Sequence, residues 1–298
     1  MKQIILCVAL GLGLLSCEKT LELDADTKTS KLVVNSLFSD QDSWKVDVSR
    51  SLSVLDGGNL TTIDDATVSI FNGTTLVSNL IYDGEKYVIL GLSASPIAGI
   101  EYKVEVSAPN YTAVSAKDFC PNRVPILSVD TSSVINIYGD KEYTATINFQ
   151  DQPNADNYYG IEIEVLNYSR NYNPSTALYD TTFNGTDKTD LSSIDPVIDN
   201  VGSGSYSQTL TLKDNLFDGQ QKAISVNYTI YELGPPNQFT VKKIKLISFT
   251  KSSYNYSKSI EAYRVTEGNP FAEPVQVFSN VENGFGIFGG QSTSEFDF

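Results

Sequence analysis

Trp44-Lys45-Val46-Asp47-Val48-Ser49 alternates apolar and polar side chains residue by residue. Successive side chains of an extended chain point to opposite faces, so this stretch predicts a strand with one buried and one wet face. The same period returns at Tyr102, Val104 and Val106. Leu32 to Val34, Ala66 to Phe71, Tyr87 to Leu90 and Tyr111 to Ala116 read as further short strands. Between them stand the turn formers Asp56-Gly57-Gly58-Asn59, Asn72-Gly73 and Asp83-Gly84. About seven short strands with no helix-period segment among them predict an immunoglobulin-like β-sandwich over residues 32–120.

Pro121 and Pro125 interrupt any strand and mark a boundary. Beyond it, residues 121–298 read as a second β-rich sandwich domain, so the chain as a whole is all-β. Its strands are Ile126 to Val129, Tyr143 to Phe149, Tyr158 to Leu166, Tyr206 to Leu212, Ile224 to Tyr231 and Val241 to Phe249. Residues 167–204, rich in Asn, Ser, Thr, Asp and Tyr, read as a long irregular loop, and such loops are commonly functional or disordered. One segment has helical period. Tyr256, Ile260 and Tyr263 fall at i, i+4 and i+7, which predicts a packing helix over about 253–267, capped by Ser252 or Ser253.

Upstream of the first strand the chain changes character. Lys2 precedes an apolar run from Ile4 to Leu15, too short for a bilayer span of roughly 20 residues but right for the core of a secretory signal. Leu14-Leu15-Ser16-Cys17 resembles a bacterial lipobox. The expectation is a signal peptide over 1–16, cleavage between Ser16 and Cys17, and acylation of Cys17, with palmitate among the acyl chains. Two or three such chains hold a protein stably to a membrane. Residues 17–31, with Glu18, Lys19, Glu22, Asp24 and Asp26, read as an acidic flexible tether. A lysine among acidic residues after the lipidated cysteine also resembles a surface-export signal, which points to outer-membrane anchoring with cell-surface exposure.

Composition removes several function classes. The formal net charge of −15 repels phosphate backbones, so no nucleic-acid partner is expected. The 298 residues contain no histidine, which excludes Ser-His-Asp and Cys-His catalysis and histidine metal sites. Of the three cysteines, Cys7 leaves with the signal and Cys17 takes the lipid. Cys120 therefore stands alone as a semi-buried thiol. Only a carboxylate-pair hydrolase stays open to an enzyme, and no cofactor or metal is expected.

Several short patterns need weighing. Asn72-Gly73-Thr74 and Asn184-Gly185-Thr186 are ordinary turn composition in a bacterial lipoprotein. Asp180-Thr181-Thr182 is similar to a short O-glycosylation pattern. Asp151 to Asn157 offers oxygens for calcium without the spacing of a known loop. Gly284-Phe285-Gly286-Ile287-Phe288-Gly289 matches G-x-G-x-x-G in letters alone, since no helix follows it, and its glycines predict a kinked or tightly packed last strand. Tyr168, Tyr172, Tyr179 and Phe183 form the candidate interaction surface, either as exposed rings that bind a partner or as rings pinning the loop to the sandwich.

The C-terminal segment is the most distinctive. Asn269-Pro270-Phe271-Ala272-Glu273-Pro274, followed by Asn280-Val281-Glu282-Asn283-Gly284-Phe285-Gly286 and Gly289-Gly290, resembles an uncharacterised lipoprotein family of Bacteroidota, a domain of unknown function. Val46 to Ser51, Asn157-Tyr158-Tyr159 and Asp214 to Gly219 fit the same pattern. The resemblance implies an outer-membrane companion of a TonB-dependent receptor and carries no catalytic residues with it. The expected function is thus a non-enzymatic, lipid-anchored binding or accessory protein that captures or hands over a ligand beside that receptor. The alternative is a structural or adhesive surface lipoprotein with no transport role.

Overall fold

The computed structural model of the chain describes residues 30–52, 61–89, 95–135, 137, 139, 141–199, 206–230, 237–266, 272–273 and 275–298. Ser16, Cys17, Asn269, Pro270, Phe271 and Pro274 lie outside the described residues.

The alternating stretches become strands with alternating burial. β1 (Leu32–Phe38), β2 (Lys45–Arg50), β3 (Thr67–Asn72), β4 (Thr75–Tyr82), β5 (Tyr87–Val88), β6 (Glu101–Ser107) and β7 (Val114–Phe119) form the N-terminal unit. Val46, Val48, Tyr102, Val104 and Val106 are buried, and their polar neighbours are not. Together with Leu32, Val34, Phe38, Trp44, Val68 and Ile70 they make one apolar cluster.

The second unit comprises β8 (Ile126–Ile135), β9 (Lys141–Gln150), β10 (Tyr158–Asn173), β11 (Leu178–Lys188), β12 (Leu191–Ser192), β13 (Leu210–Lys213), β14 (Gln221–Thr229) and β15 (Gln238–Phe249). A four-stranded sheet in the order β12-β14-β9-β8 packs on β10, β13 and β15, and the inward residues of both layers form a second apolar cluster. The fold is therefore a mostly-β, sandwich-like arrangement with one helix, α1 (Lys251–Thr266), among the described residues.

The last strand, β16 (Phe285–Asp297), joins the two units. Its first half pairs parallel with β1, from Val33↔Phe285 to Phe38↔Gly290. Its second half pairs antiparallel with β15, from Phe249↔Gln291 to Lys243↔Asp297. One sheet consequently runs β11-β10-β15-β16-β1-β2-β5-β4-β3-β6-β7 through both units. Phe288 and Val281 enter the N-terminal cluster from this end of the chain.

The glycines of the C-terminal motif make that path possible. A Cβ on Gly290 would lie 1.8 Å from the carbonyl oxygen of Phe119, and one on Gly286, held at φ +108°, would lie 2.1 Å from that of Val34. Only hydrogen fits there. The G-x-G-x-x-G letters thus encode a tightly packed strand, as anticipated.

Two local expectations change. Residues 167–204 are not one irregular loop, because β10 runs to Asn173 and returns as β11, paired from Glu164↔Lys188 to Asn173↔Leu178. Polar residues cover one face of this hairpin and solvent reaches the other, so the apolar alternation that marks a half-buried strand is missing there. At α1 the cap is Thr250, which is held in place by neighbouring elements. Its Oγ1 accepts from the Ser253 amide at 3.2 Å, while Ser253 Oγ donates to the Gly290 carbonyl at 2.8 Å. No helix among the described residues is long and apolar enough to cross a membrane.

Candidate functional site

The four aromatic residues singled out in the sequence converge on one face of the β11-β10-β15 edge. Direct register partners share a face, and Tyr168 pairs with both Phe183 and Phe239, while Tyr172 pairs with Tyr179. Ring centroids lie 5.5 Å apart for Tyr168–Phe183, 5.3 Å for Tyr168–Phe239 and 5.4 Å for Tyr172–Tyr179. The Arg170 guanidinium, on the same face, sits 5.8 Å from the Phe239 ring centre. Phe239 is the member that sequence reasoning missed, since it lies 56 residues beyond Phe183 in a separate strand.

These rings are not core. Tyr172, Tyr179 and Phe183 are 56%, 64% and 55% exposed. Among the described residues the pairing of β15 ends at Ser169↔Gln238, and only β10 and β11 pair beyond it. The opposite face carries hydrogen bonds instead: Asn237 Nδ2 to Asn171 Oδ1 at 2.8 Å and Asn173 Nδ2 to Asp180 Oδ2 at 2.7 Å. An aromatic stripe on one face and an amide-rich stripe on the other make an arm with a defined contact side. Thr181 and Thr182, of the O-glycosylation-like triplet, are exposed on β11.

The C-terminal motif has a different role. Asn280 Nδ2 donates to the Phe288 carbonyl at 2.8 Å and Asn280 Oδ1 accepts from the Phe288 amide at 3.0 Å. A side chain thereby supplies the bonding pattern of a neighbouring strand. The Glu282 amide donates to the Ser115 carbonyl at 2.8 Å, and its carboxylate accepts from Ser115 Oγ at 3.3 Å. Asn283 turns the chain at φ 61°. Gly284 and Gly289 lie against the Leu32 carbonyl and Ser253 Oγ. Glu273 is described but makes no hydrogen bond or ion pair among the described residues. The described part of the motif therefore positions β16.

A buried polar knot completes that junction. Asp118 accepts from Thr250 Oγ1 at 2.5 Å, from the Gly290 amide at 3.2 Å and from the Phe119 amide at 3.0 Å. Burial outweighs these bonds and raises its carboxyl above the ordinary aspartate range. Cys120 is fully buried with its Sγ 3.9 Å from Ser292 Oγ, and burial pushes the thiol up. The thiol is thus fully buried where the sequence suggested partial burial, and a protonated, inaccessible thiol is a poor nucleophile.

The acidic turn at Asp151 does gather carboxylates, through residues distant in sequence. Carboxylate oxygens of Asp151, Asp214 and Asp218 lie within 4.8 Å of one another. Protein donors already occupy them. Asp151 accepts the Tyr159 hydroxyl at 2.5 Å and the Gly219 amide at 2.7 Å. Asp214 accepts the Asn157 amide at 2.9 Å, and Asp218 accepts the Asn154 amide at 3.0 Å. Burial, with Asp151 and Asp218 nearby, raises the Asp214 carboxyl. The cluster closes the β9–β10 and β13–β14 turns on each other, bringing Asn157 to Tyr159 against Asp214 to Gly219.

No curated protein matches the chain. A solved structure from work on the structural basis for the promiscuous specificity of carbohydrate-binding modules of the β-sandwich superfamily is similar over 74% of this chain and 96% of its own. Identity is 11% and the TM-score 0.19. That score is too low for any site to be read across. The family model described as a domain of unknown function (DUF4249) matches residues 18–297, and the chain belongs to that family.

Proposed function

We propose that the protein is a non-enzymatic, lipid-anchored binding protein of the bacterial outer membrane, whose β10–β11 arm docks a TonB-dependent β-barrel receptor during ligand capture or uptake. The observation that carries this reading is the exposed aromatic stripe of Tyr168, Tyr172, Tyr179, Phe183 and Phe239 beside Arg170. Tyrosine and arginine are enriched at protein interfaces because they combine large contact area with a hydrogen-bonding tip. Pairing across the strands leaves Tyr172, Tyr179 and Phe183 more than half exposed, and a partner would cover that apolar area.

The lipobox-like Leu14 to Cys17 supports the anchor, and the C-terminal resemblance supports the receptor class. Nonspecific outer-membrane attachment is then the work of the lipid, and specificity the work of the arm.

The test is affinity isolation of the tagged protein from native outer membrane in mild detergent, comparing the parent with Tyr172→Ala/Tyr179→Ala. A β-barrel receptor should accompany the parent in near-equal amount and be lost from the double variant. Burial of two interface tyrosines is commonly worth more than about 2 kcal/mol, some thirtyfold in affinity. A partner-free parent would sink the receptor reading in favour of a structural or adhesive role. A barrel retained equally by the variant would move the docking surface off the arm.

A further inference from the structure

A second surface, on the same strands as the aromatic stripe but lined by other residues, has the chemistry of a ligand site. Helix α1 meets the sheet through Tyr254, which packs with Tyr158, Ile247 and Phe249. Beside this contact a cleft of about 370 Å³ opens between the helix and the outer face of β10, β15 and β16. A helix covering a sheet ordinarily meets an apolar floor. Here the floor is Glu162, Glu164, Lys245, Gln291 and Thr293, edged by Ile247 and Leu37. Glu162 is 7% exposed. Placing charged groups there costs desolvation that apolar packing would avoid.

The charges cancel. Four acidic residues (Glu162, Glu164, Asp199, Glu261) and four basic ones (Lys188, Lys245, Lys258, Arg264) line the cleft of a chain whose net charge is −15. They are also mutually paired. Lys188 meets Glu162 at 2.7 Å, which further accepts Thr209 Oγ1 at 2.7 Å. Lys245 meets Glu164 at 2.7 Å and Glu295 at 3.7 Å. Lys258 lies 3.7 Å from Asp199, which also takes the Tyr254 hydroxyl. Arg264 lies 4.0 Å from Glu261, so every lining charge has an opposite charge beside it.

What is left over is neutral. The side chains of Gln208, Thr211, Gln291 and Thr293 line the cleft and make no hydrogen bond to another described residue. Opposite them stand the half-buried Tyr256 ring and Ile260, on the helix face that the sequence period predicted would pack. Spare hydroxyls and amides beside paired carboxylates, facing a ring and an aliphatic wall, complement a molecule with many hydroxyls and apolar C–H faces. The volume falls within the range of small-molecule sites, about 300–1,000 Å³.

We propose that this cleft binds a neutral saccharide of about two rings. The site shares no residue with the aromatic stripe, so the two readings stand or fall separately.

The experiment is titration of the whole mature protein with maltose, cellobiose, lactose and xylobiose, and with digalacturonate as a charged counterpart, followed by ligand-observed NMR and calorimetry. Ser257→Trp fills the cleft from its helix wall, and Thr293→Val removes one floor hydroxyl at constant shape. At least one neutral disaccharide should bind, with an affinity that changes less than about twofold between low and high salt. Ser257→Trp should abolish that binding, and Thr293→Val should weaken it about five- to tenfold, the loss of one hydrogen bond. Should Ser257→Trp fail to fold, Thr293→Val carries the test. No binding by any neutral probe overturns the proposal. So does tighter binding of digalacturonate, or neutral binding that both variants leave intact.

Discussion

Replacing Phe288 with alanine tests the architecture at its joint. Phe288 is fully buried, with its ring 4.6 Å from Phe38 and 6.1 Å, stacked, from Trp44. It reaches that cluster from the opposite end of the chain, opposite Ser36 in the parallel β1–β16 register. Truncating a buried phenylalanine removes its transfer free energy and leaves a cavity, together about 3–5 kcal/mol. With a urea dependence of about 3 kcal/mol/M, the unfolding midpoint should fall by about 1 to 1.7 M. Trp44 is the only tryptophan and is buried in the same cluster, so its fluorescence reports this unit directly. The control is Phe285→Ala in the same strand. Phe285 is 46% exposed and touches the Lys31 ammonium at 5.4 Å, a contact worth about 0.5–1 kcal/mol. Its midpoint should move by about 0.3 M or less on the same m-value. A Phe288→Ala midpoint no lower than that of Phe285→Ala would refute the placement of β16 in the N-terminal core.

Two further predictions concern buried carboxylates. Asp151→Ala leaves both the Tyr159 hydroxyl and the Gly219 amide without their acceptor, so it should cost about 1–3 kcal/mol. Asp218→Asn, exposed and able to accept from Asn154 as before, should stay within about 0.5 kcal/mol in thermal melts, and equal losses would contradict the assigned bonding. For Asp118 the folded carboxyl titrates above its unfolded value, so the folded state holds the proton more tightly. Ionising it therefore costs stability as pH rises through the folded value, and that cost disappears below the ordinary aspartate value. The parent should thus gain stability relative to Asp118→Asn as pH is lowered from neutral into this window, read from paired urea titrations; a relative loss would overturn the assignment.

The paired alternation at Trp44 to Ser49 and at Tyr102 to Val106 was enough to place strands and their buried faces, because side-chain direction along a strand is a local property. The helix was legible for the same reason, to within two residues at its start. The arm was not, since Asn167 to Lys188 alternates aromatic with amide side chains rather than apolar with charged ones, and no core face imposes the usual pattern. Its four aromatic residues could be named one by one, but their common face depends on a register that brings Phe239 in from another strand.

Everything that joins the chain's two halves belongs to tertiary structure alone. Nothing near Gly290 announces the Phe119 carbonyl, and nothing near Asp118 announces Thr250, because these partners lie more than a hundred residues apart. The cancelled charges of the cleft under α1 likewise come from four separate elements and from Asp199, which lies between strands. Local sequence determined which residues extend, turn or coil and which side of each is apolar. Only folding decided that the last strand closes the first sheet and that a cleft with a charged floor opens beside the helix contact, because those outcomes depend on which distant surfaces meet.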